Sequence, residues 1–298
     1  MILVTGAGGK TGRAVVQALA ARQGAAGGAA NSGPVRAFAR SGRASDEAAL
    51  RAAGAAEVVS GDMRVAADLA RAMQGVNAVY HICPNVHPDE VSIGWAAIAA
   101  AQAAGVRHFV FHSVLHPQTE AMPHHWNKLR VEEMVFAAGL PFTILQPAPY
   151  MQNVLAGWAA ITERGVYSVP YPVTSRLSLV DLDDVAQAAA LVLGSTAHQG
   201  AVYELAGTPP MSQVDVAAAL AEQLGRPVAA VSESVDTWER RVRAGGLGEA
   251  PIATLRQMFD YYARYGLPGN PNVLGWLLGR PPATYAQFAA RIAPRRAA

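Results

Sequence analysis

The sequence has one cysteine, two lysines, no long apolar run and no block of like charge. Each shortage excludes something. Cys83, standing alone, rules out an intramolecular disulfide and fits a reducing compartment. No uninterrupted apolar stretch approaches the roughly 20 residues needed to span a bilayer. The apolar opening is broken at once by glycines, so nothing at the N-terminus reads as a signal peptide, and a cytoplasmic protein without membrane contact is expected. The formal net charge is +2, and the basic residues form no extended block, the densest runs being Arg240-Arg241-Val242-Arg243 and the terminal Arg295-Arg296, which argues against a nucleic-acid-binding face. The lysine shortage is the sharpest. Of 24 basic residues only Lys10 and Lys128 are lysine; the rest are arginine. Arginine is a wide planar fork and lysine a compact, tunable charge, so a chain this biased marks the two places where it keeps lysine.

What is present points to one architecture. The chain of 298 residues, 51% hydrophobic, is long enough to bury a sizeable core in one large domain or two. It opens with the apolar strand Ile2-Leu3-Val4-Thr5, followed by Gly6-Ala7-Gly8-Gly9-Lys10-Thr11-Gly12 and then by Arg13 to Leu19 at helical period. Glycines at this spacing between a strand and a helix build a dinucleotide site. Gly6 permits the tight turn, Gly9 lets backbone amides approach a pyrophosphate, and Gly12 lets the helix pack close, its N-terminus facing the phosphates. Gly8, Lys10 and Thr11 complete the predicted cradle.

Strands and helices then alternate. Residues 23–34 read as a long loop, Val35 to Ala39 as a second strand ending at Arg40, and Ala56 to Val59 as a third, closed by Ser60-Gly61-Asp62. A helix over 65–74 leads to a fourth strand, Ala78 to Ile82, and a helix from about Glu90 to Ala104 leads to a fifth, Arg107 to Ser113. The next helix, Pro123 to Gly139, carries Lys128 on the edge of its apolar stripe, with His124 one turn before it on the same side. A sixth strand, Pro141 to Leu145, runs into Gln146 and on to Tyr150. This alternation predicts an α/β fold of the Rossmann type, a doubly wound parallel sheet with a smaller, partly interleaved α+β C-terminal cap. The nucleotide domain is expected over 1–150, with 177–207 returning to it, and the cap over 151–176 and 208–298. Further on, Leu177 to Val180 reads as a short strand, Asp181 to Asp184 as the cap of a helix, Tyr203 to Ala206 as another strand and Pro227 to Val231 as a strand-like piece. Ligands in such folds lie at the carboxyl ends of the strands, which singles out the glycine loop, Arg40, Asp62, Cys83, Pro84, Ser113 and Tyr150.

Several of these motifs, in this order, resemble the NmrA-like branch of the atypical short-chain dehydrogenase/reductase superfamily. The glycine loop matches, as do Arg40, Ser113, the run Lys128-x-x-x-Glu132, the stretch Gly139 to Pro147, Asp181 to Ala186 and the segment Gly200 to Gly207. The resemblance implies an extended Rossmann fold binding NADP(H), with a small C-terminal domain closing over substrate. Members include reductases of quinones, dyes and benzylic ethers, and also regulators that bind the dinucleotide without chemistry. The residues agree on the cofactor. An NAD site usually places a carboxylate at the end of the second strand, whereas here Arg40 stands there, with Arg36, Arg43 and Lys10 nearby, and a guanidinium suits a 2′-phosphate. Asp62 falls on the adenine side or serves the turn.

The resemblance also exposes a departure. The superfamily's Tyr-x-x-x-Lys is here His124-His125-Trp126-Asn127-Lys128, so the lysine is kept and the tyrosine is not. Ketone reduction develops an alkoxide and needs a strong proton donor, whereas hydride transfer to a quinone or electron-poor aromatic develops a delocalised, weakly basic anion. A nearby ammonium or imidazolium then suffices. Lys128 is assigned to the nicotinamide ribose and the substrate oxygen, His124 to proton donation and Ser113 to hydrogen-bond donation. Metal binding is not expected: His108 and His112 lie roughly 13 Å apart along a strand, and no zinc-type spacing joins them to His116, His124 or His125. Tyr150, Met151, Met258, Tyr262 and Trp276 are candidates to line an apolar pocket. The reading is a monomeric or homodimeric NADPH-dependent reductase of a small apolar or aromatic acceptor; the alternative is a redox sensor acting through a protein partner.

Overall fold

The computed structural model describes residues 1–25, 33–40 and 44–293. Arg43, Arg295, Arg296 and all of the expected 23–34 loop except its ends lie outside the described residues; Gln23 to Ala25 prolong the first helix instead. The elements in order are β1 (Ile2–Val4), α1 (Lys10–Ala25), β2 (Val35–Ala39), α2 (Ala44–Ala52), β3 (Glu57–Ser60), α3 (Ala66–Met73), β4 (Ala78–His81), α4 (Glu90–Ala103), β5 (His108–His112), α5 (Pro123–Ala137) and β6 (Phe142–Pro147). Then follow α6 (Trp158–Arg164), β7 (Val166–Val169), β8 (Arg176–Leu177), α7 (Leu182–Leu193), β9 (Ala201–Leu205), β10 (Met211–Ser212), α8 (Gln213–Leu224), β11 (Ala229–Ser232), α9 (Val235–Ala244), α10 (Glu249–Tyr265), α11 (Pro271–Leu278) and α12 (Tyr285–Ile292).

The main sheet has seven strands in the order β3-β2-β1-β4-β5-β6-β9, and every pairing from β3 through β6 is parallel. The order reverses between β1 and β4, so the topological switch point lies between the glycine loop that follows β1 and the Cys83-Pro84 loop that follows β4. Strands β1, β4 and β5 are buried from end to end, as a parallel sheet covered on both faces requires. Leu3, Phe38, Val79, Phe109, Phe111 and Ile144 pack with Leu69 and Met73 of α3, Ala97 and Ala101 of α4, and Val131 and Val135 of α5. Burying one such large side chain contributes about 1.5–3 kcal/mol. Gly94 brings α4 and α5 together, since a Cβ there would stand 2.6 Å from a Val131 methyl.

The chain divides into two compact units. One comprises Met1–Glu120, His124–Gln146 and Val185–Tyr203; the other comprises Ala121–Pro123, Pro147–Asp184 and Glu204–Ala298. The segment that rejoins the first unit therefore begins at Val185 and not at 177. Asp181 and Asp184 are paired with Arg291 and Arg280, near the end of the chain and in the same second unit. Within that unit, β7 pairs in parallel with β11, and β8 pairs antiparallel with β10. The strand expected over Leu177 to Val180 is only Arg176–Leu177, with an isolated bridge from Val180 to Tyr150, and β7 and β10 carry no sequence signal strong enough to have been expected. Asp181 caps α7, its carboxylate accepting from the Asp183 backbone N–H at 3.1 Å.

Candidate active site

The glycine loop is built by two close approaches. Gly6 has φ +58°, and the Gly9 N–H donates to its carbonyl at 3.0 Å, so the chain turns within four residues. At Gly12 a Cβ would lie 2.4 Å from the Gly6 oxygen and 2.7 Å from the Ala7 Cα, which leaves room for no side chain where α1 meets the loop. Gly8 and Gly9 are exposed, and a Cβ at Gly8 would touch only the Ala39 methyl at 3.6 Å. The loop is thus tight behind and open in front. Lys10 is exposed and Thr11 buried at the start of α1. Thr5 ties the switch point together: its hydroxyl accepts from the Ile82 N–H at 3.0 Å and is hydrogen bonded to His81 Nδ1 at the same distance.

The arginines near the end of β2 have different fates. Arg36 is fully engaged: Nε donates to Glu57 at 2.9 Å, and Nη1 donates to the carbonyls of Ala72 and Gln74 at 2.8 and 2.7 Å. It holds the end of α3 against the sheet, and the expectation that it joins Arg40 in binding a phosphate is corrected. Arg40 is exposed and makes no ion pair among the described residues. Asp62 forms an Asx turn, accepting from the Arg64 backbone N–H at 2.9 Å and from the Arg64 guanidinium at 2.6 Å. Those bonds hold its carboxyl down at about 2. Its carboxylate is engaged by Arg64 in that turn.

Beyond β4, Cys83 is buried and Pro84 half-buried. Burial first, then the Glu90 carboxylate beside it, pushes the Cys83 thiol far up, so it stays protonated. Val86 sits at φ +47°, a left-handed conformation that a β-branched residue rarely adopts.

Lys128 projects from α5 into this region. Its ammonium donates to Glu90 Oε1 at 2.9 Å and to the His112 carbonyl at 3.2 Å, and it lies 5.3 Å from the centre of the Phe111 ring. Only 12% of the lysine side chain and 5% of the glutamate is exposed. One turn earlier, His124 stacks edge-on against His125 with ring centres 4.4 Å apart. Its Nδ1 is buried without a partner. Burial, then the neighbouring His125 and Lys128, lowers His124 to about 3. His124 is therefore a neutral imidazole near neutral pH and supplies no imidazolium. His125, the next residue, is lowered to about 4 by burial and hydrogen bonded through Nδ1 with the His116 carbonyl at 3.2 Å.

Ser113 is buried, and its hydroxyl donates to Glu132. The Gln146 amide donates to both Glu132 oxygens at 3.0 Å. Burial raises the Glu132 carboxyl above the ordinary range. In this arrangement the Ser113 hydroxyl proton is directed at Glu132, beneath the end of β5 where a donor to substrate is expected. Behind Lys128, the Tyr80 hydroxyl is hydrogen bonded to His112 Nδ1. Burial takes both His81 and His112 down to about 3.

Tyr150 belongs to the second unit, where it precedes a 3-10 turn over Met151–Gly157 and bridges to Val180. Met151 and Tyr262 are buried, Met258 packs against a core of Trp238, Ile252 and Phe259, and Trp276 is 76% exposed. Helical spacing alone does not distinguish core from pocket for aromatic and methionine residues, and within this unit three of the four lie in or against the interior and Trp276 at the surface. Among the described residues no group of metal-ligating side chains is gathered and no helix is long and apolar enough to cross a membrane. The residue that sequence reasoning missed is Glu90. An acidic residue opening a helix signals only a helix start, and its partner lies 38 positions away.

The chain is similar to known proteins along most of its length. The chain is 30% identical to the NAD(P)H azoreductase of Xenophilus azovorans over 97% of its own length and 96% of that protein's. It is 28% identical to quinone oxidoreductase 2 of Escherichia coli, with 96% of each chain covered. The crystal structure of the NADPH-dependent quinone oxidoreductase of Escherichia coli complexed with NADPH superposes with a TM-score of 0.81, covering 98% of this chain and 99% of that one. The sequence matches the NmrA-like family over residues 1–276, and the chain is a member of that family.

Proposed function

We propose that this protein is an NADPH-dependent reductase that delivers hydride to a small, apolar, electron-poor acceptor of the quinone or aromatic dye type. The observation that carries the reading is the buried Lys128 ammonium at the mouth of a Rossmann switch point. The residues fit a dinucleotide. Gly6 and Gly12 let the loop close tightly against Ile82 and its own backbone, Gly8 and Gly9 leave its outer face open to a pyrophosphate, and exposed Arg40 can meet a 2′-phosphate. Cys83 and Pro84 wall the opposite side of the switch point. The azoreductase and quinone oxidoreductase to which the chain is similar are named for NAD(P)H or quinone chemistry.

When bound, the dinucleotide supplies the hydride. The protein's part is to orient and to exclude. Lys128 has three N–H donors, two of which are spent on Glu90 and His112, and the third serves the nicotinamide ribose or the acceptor oxygen. The acceptor takes up one hydride and one proton to give a hydroquinone or a reduced dye. The delocalised anion formed on the way is weakly basic, so solvent can deliver the proton and no buried acid is needed. That accounts for a site with a neutral His124 in place of a tyrosine. A non-catalytic sensor has no comparable support, because it gives the buried Lys128 no task. We further propose a cytoplasmic monomer or homodimer acting on small molecules and not on nucleic acid, in keeping with the single buried cysteine and the net charge of +2.

The test is NADPH oxidation at 340 nm against quinones, dyes and benzylic ethers. Wild type is expected to turn over at least one class, with Lys128→Ala reducing kcat by about 100-fold, the scale of one lost electrostatic donor. Tight NADPH binding with no turnover on any acceptor would overturn the enzyme in favour of the sensor.

A further inference from the structure

Glu90 stands outside every motif that marks the site, yet its placement is unusual. An acidic side chain in the first turn of a helix ordinarily faces water. This one is buried, with Oε1 2.9 Å from Lys128 Nζ and the Cys83 thiol beside it. The remaining titratable groups around the ammonium are His81 from β4, His112 from β5, His124 and His125 from α5, and Glu132 one turn further along α5. The four histidines are neutral, and Glu132 is engaged by Ser113 and Gln146. Glu90 is thus the carboxylate in contact with the ammonium.

A lysine side chain is a flexible stem with a compact charge at its tip, and nothing intrinsic to it fixes where the three donors point. Here two acceptors on different elements do so: Glu90 at the start of α4 and the His112 carbonyl at the end of β5. Both come from the carboxyl edge of the sheet, where a dinucleotide would lie. The third N–H is left without a protein acceptor among the described residues. The ion pair also has no net charge, so what it presents to a ligand is an oriented N–H and not an isolated cation.

We propose that Glu90 is the positioning residue of Lys128, clamping its ammonium against the His112 carbonyl so that the third N–H is held toward the bound dinucleotide and acceptor. The assignment rests on the reading of Lys128 as the residue that meets them. It explains why the one basic side chain of the reacting helix that faces inward is lysine: a guanidinium is too wide to lie between Glu90 and the His112 carbonyl with a donor to spare.

The test compares wild type, Glu90→Gln, Lys128→Met and the double variant, with 1,4-naphthoquinone as acceptor. Glu90→Gln is expected to lower kcat by about tenfold or more while the acceptor KM stays within about twofold, and to have no further effect in the Lys128→Met background, as expected for residues acting as one unit. Glu90→Asp, which keeps the charge but withdraws it, should fall between. A second readout needs no turnover. Cys83 is the sole cysteine, and its thiol is disfavoured as thiolate by Glu90 and favoured by Lys128. Alkylation by iodoacetamide at alkaline pH should therefore accelerate in Glu90→Gln and slow in Lys128→Met, whereas loosened packing would accelerate both. Equal factors from Glu90→Gln in the presence and absence of Lys128, or alkylation accelerated in both variants, would overturn the proposal. If Lys128→Met loses turnover and Glu90→Gln does not, the role of Lys128 stands and that of Glu90 falls. If Lys128→Met keeps wild-type turnover, the reading of Lys128 fails as well.

Discussion

Replacing Gly12 by alanine separates what the glycine loop does for the fold from what it does for a ligand. A methyl group at Gly12 would lie 2.4 Å from the Gly6 oxygen, 2.7 Å from the Ala7 Cα and 2.8 Å from the Gly6 carbonyl carbon. All three are backbone atoms, so no side chain can move aside, and the N-terminus of α1 must retreat by most of an ångström to restore contact distance. Overpacking of this kind costs about 1–3 kcal/mol, a substantial part of the ~5–15 kcal/mol that holds a domain folded. The retreat also moves the helix N-terminus away from where a pyrophosphate would sit, so NADPH affinity should fall by about 10-fold or more, the value of a charge-assisted hydrogen bond. Gly8→Ala is the control. Its methyl would meet only Ala39 at 3.6 Å, so stability should hold within about 0.5 kcal/mol, while NADPH binding weakens because the methyl stands on the open face of the loop. Urea denaturation of the free protein and fluorescence titration with NADPH give the two quantities. Gly12→Ala with wild-type stability and affinity would refute the geometry, and Gly8→Ala with unchanged affinity would refute the path of the dinucleotide across the loop.

Three further outcomes are expected. Arg40→Ala should weaken NADPH by about 10- to 100-fold, the value of charge-assisted hydrogen bonds, and leave NADH unchanged by calorimetry, because Arg36 is committed to Glu57 and α3 and cannot substitute; equal losses for both cofactors would exclude a 2′-phosphate contact. Glu132→Ala strands the Ser113 hydroxyl and the Gln146 amide, so urea unfolding should show a loss of about 2–5 kcal/mol, and unchanged stability would show that Gln146 finds another acceptor. The buried histidines set the acid limit. His81, His112 and His124 are lowered to about 3, and His108 and His125 to about 4. With folded values below the unfolded value near 6.5, the unfolded state binds more protons, so stability is complete above about pH 6.5 and declines as pH falls toward 3–4. Each such proton is worth about 1.4 kcal/mol per pH unit, and a urea midpoint that stays level between pH 7 and 5 would contradict their burial.

How much of this was legible depended on whether the signal was local. The glycine loop was, because Gly12 meets the backbone of Gly6 and Ala7 and the turn at Gly6 closes on the Gly9 N–H, all within one short segment. Lys128 was marked by composition and by the stripe of α5. Glu90 was not, since its partner is 38 residues away and only the packing of α4 against α5 brings them together. Arg36 misled for the same reason: an arginine two residues into a strand looks like part of a phosphate site until α3 presents its carbonyls. Ser113 follows β5 as expected, whereas its hydrogen-bond partner Glu132 comes from α5 and left no mark in the local sequence. The short strands β7, β8 and β10 have two to four residues each, too few for a period-two pattern to show, and exist by virtue of their partners.

The seventh strand has a consequence for how the protein is made. β9 covers the outer edge of β6, yet roughly 58 residues of chain separate the end of β6 from the end of β9. On a ribosome adding about 5–20 residues per second, β6 emerges several seconds before the strand that will cover it. During that interval its backbone N–H and C=O groups form an open edge ready to pair with another nascent chain. The protein is thus most exposed to aggregation late in synthesis, after its nucleotide-binding loop is complete, and a chain truncated near residue 150 would retain that edge permanently.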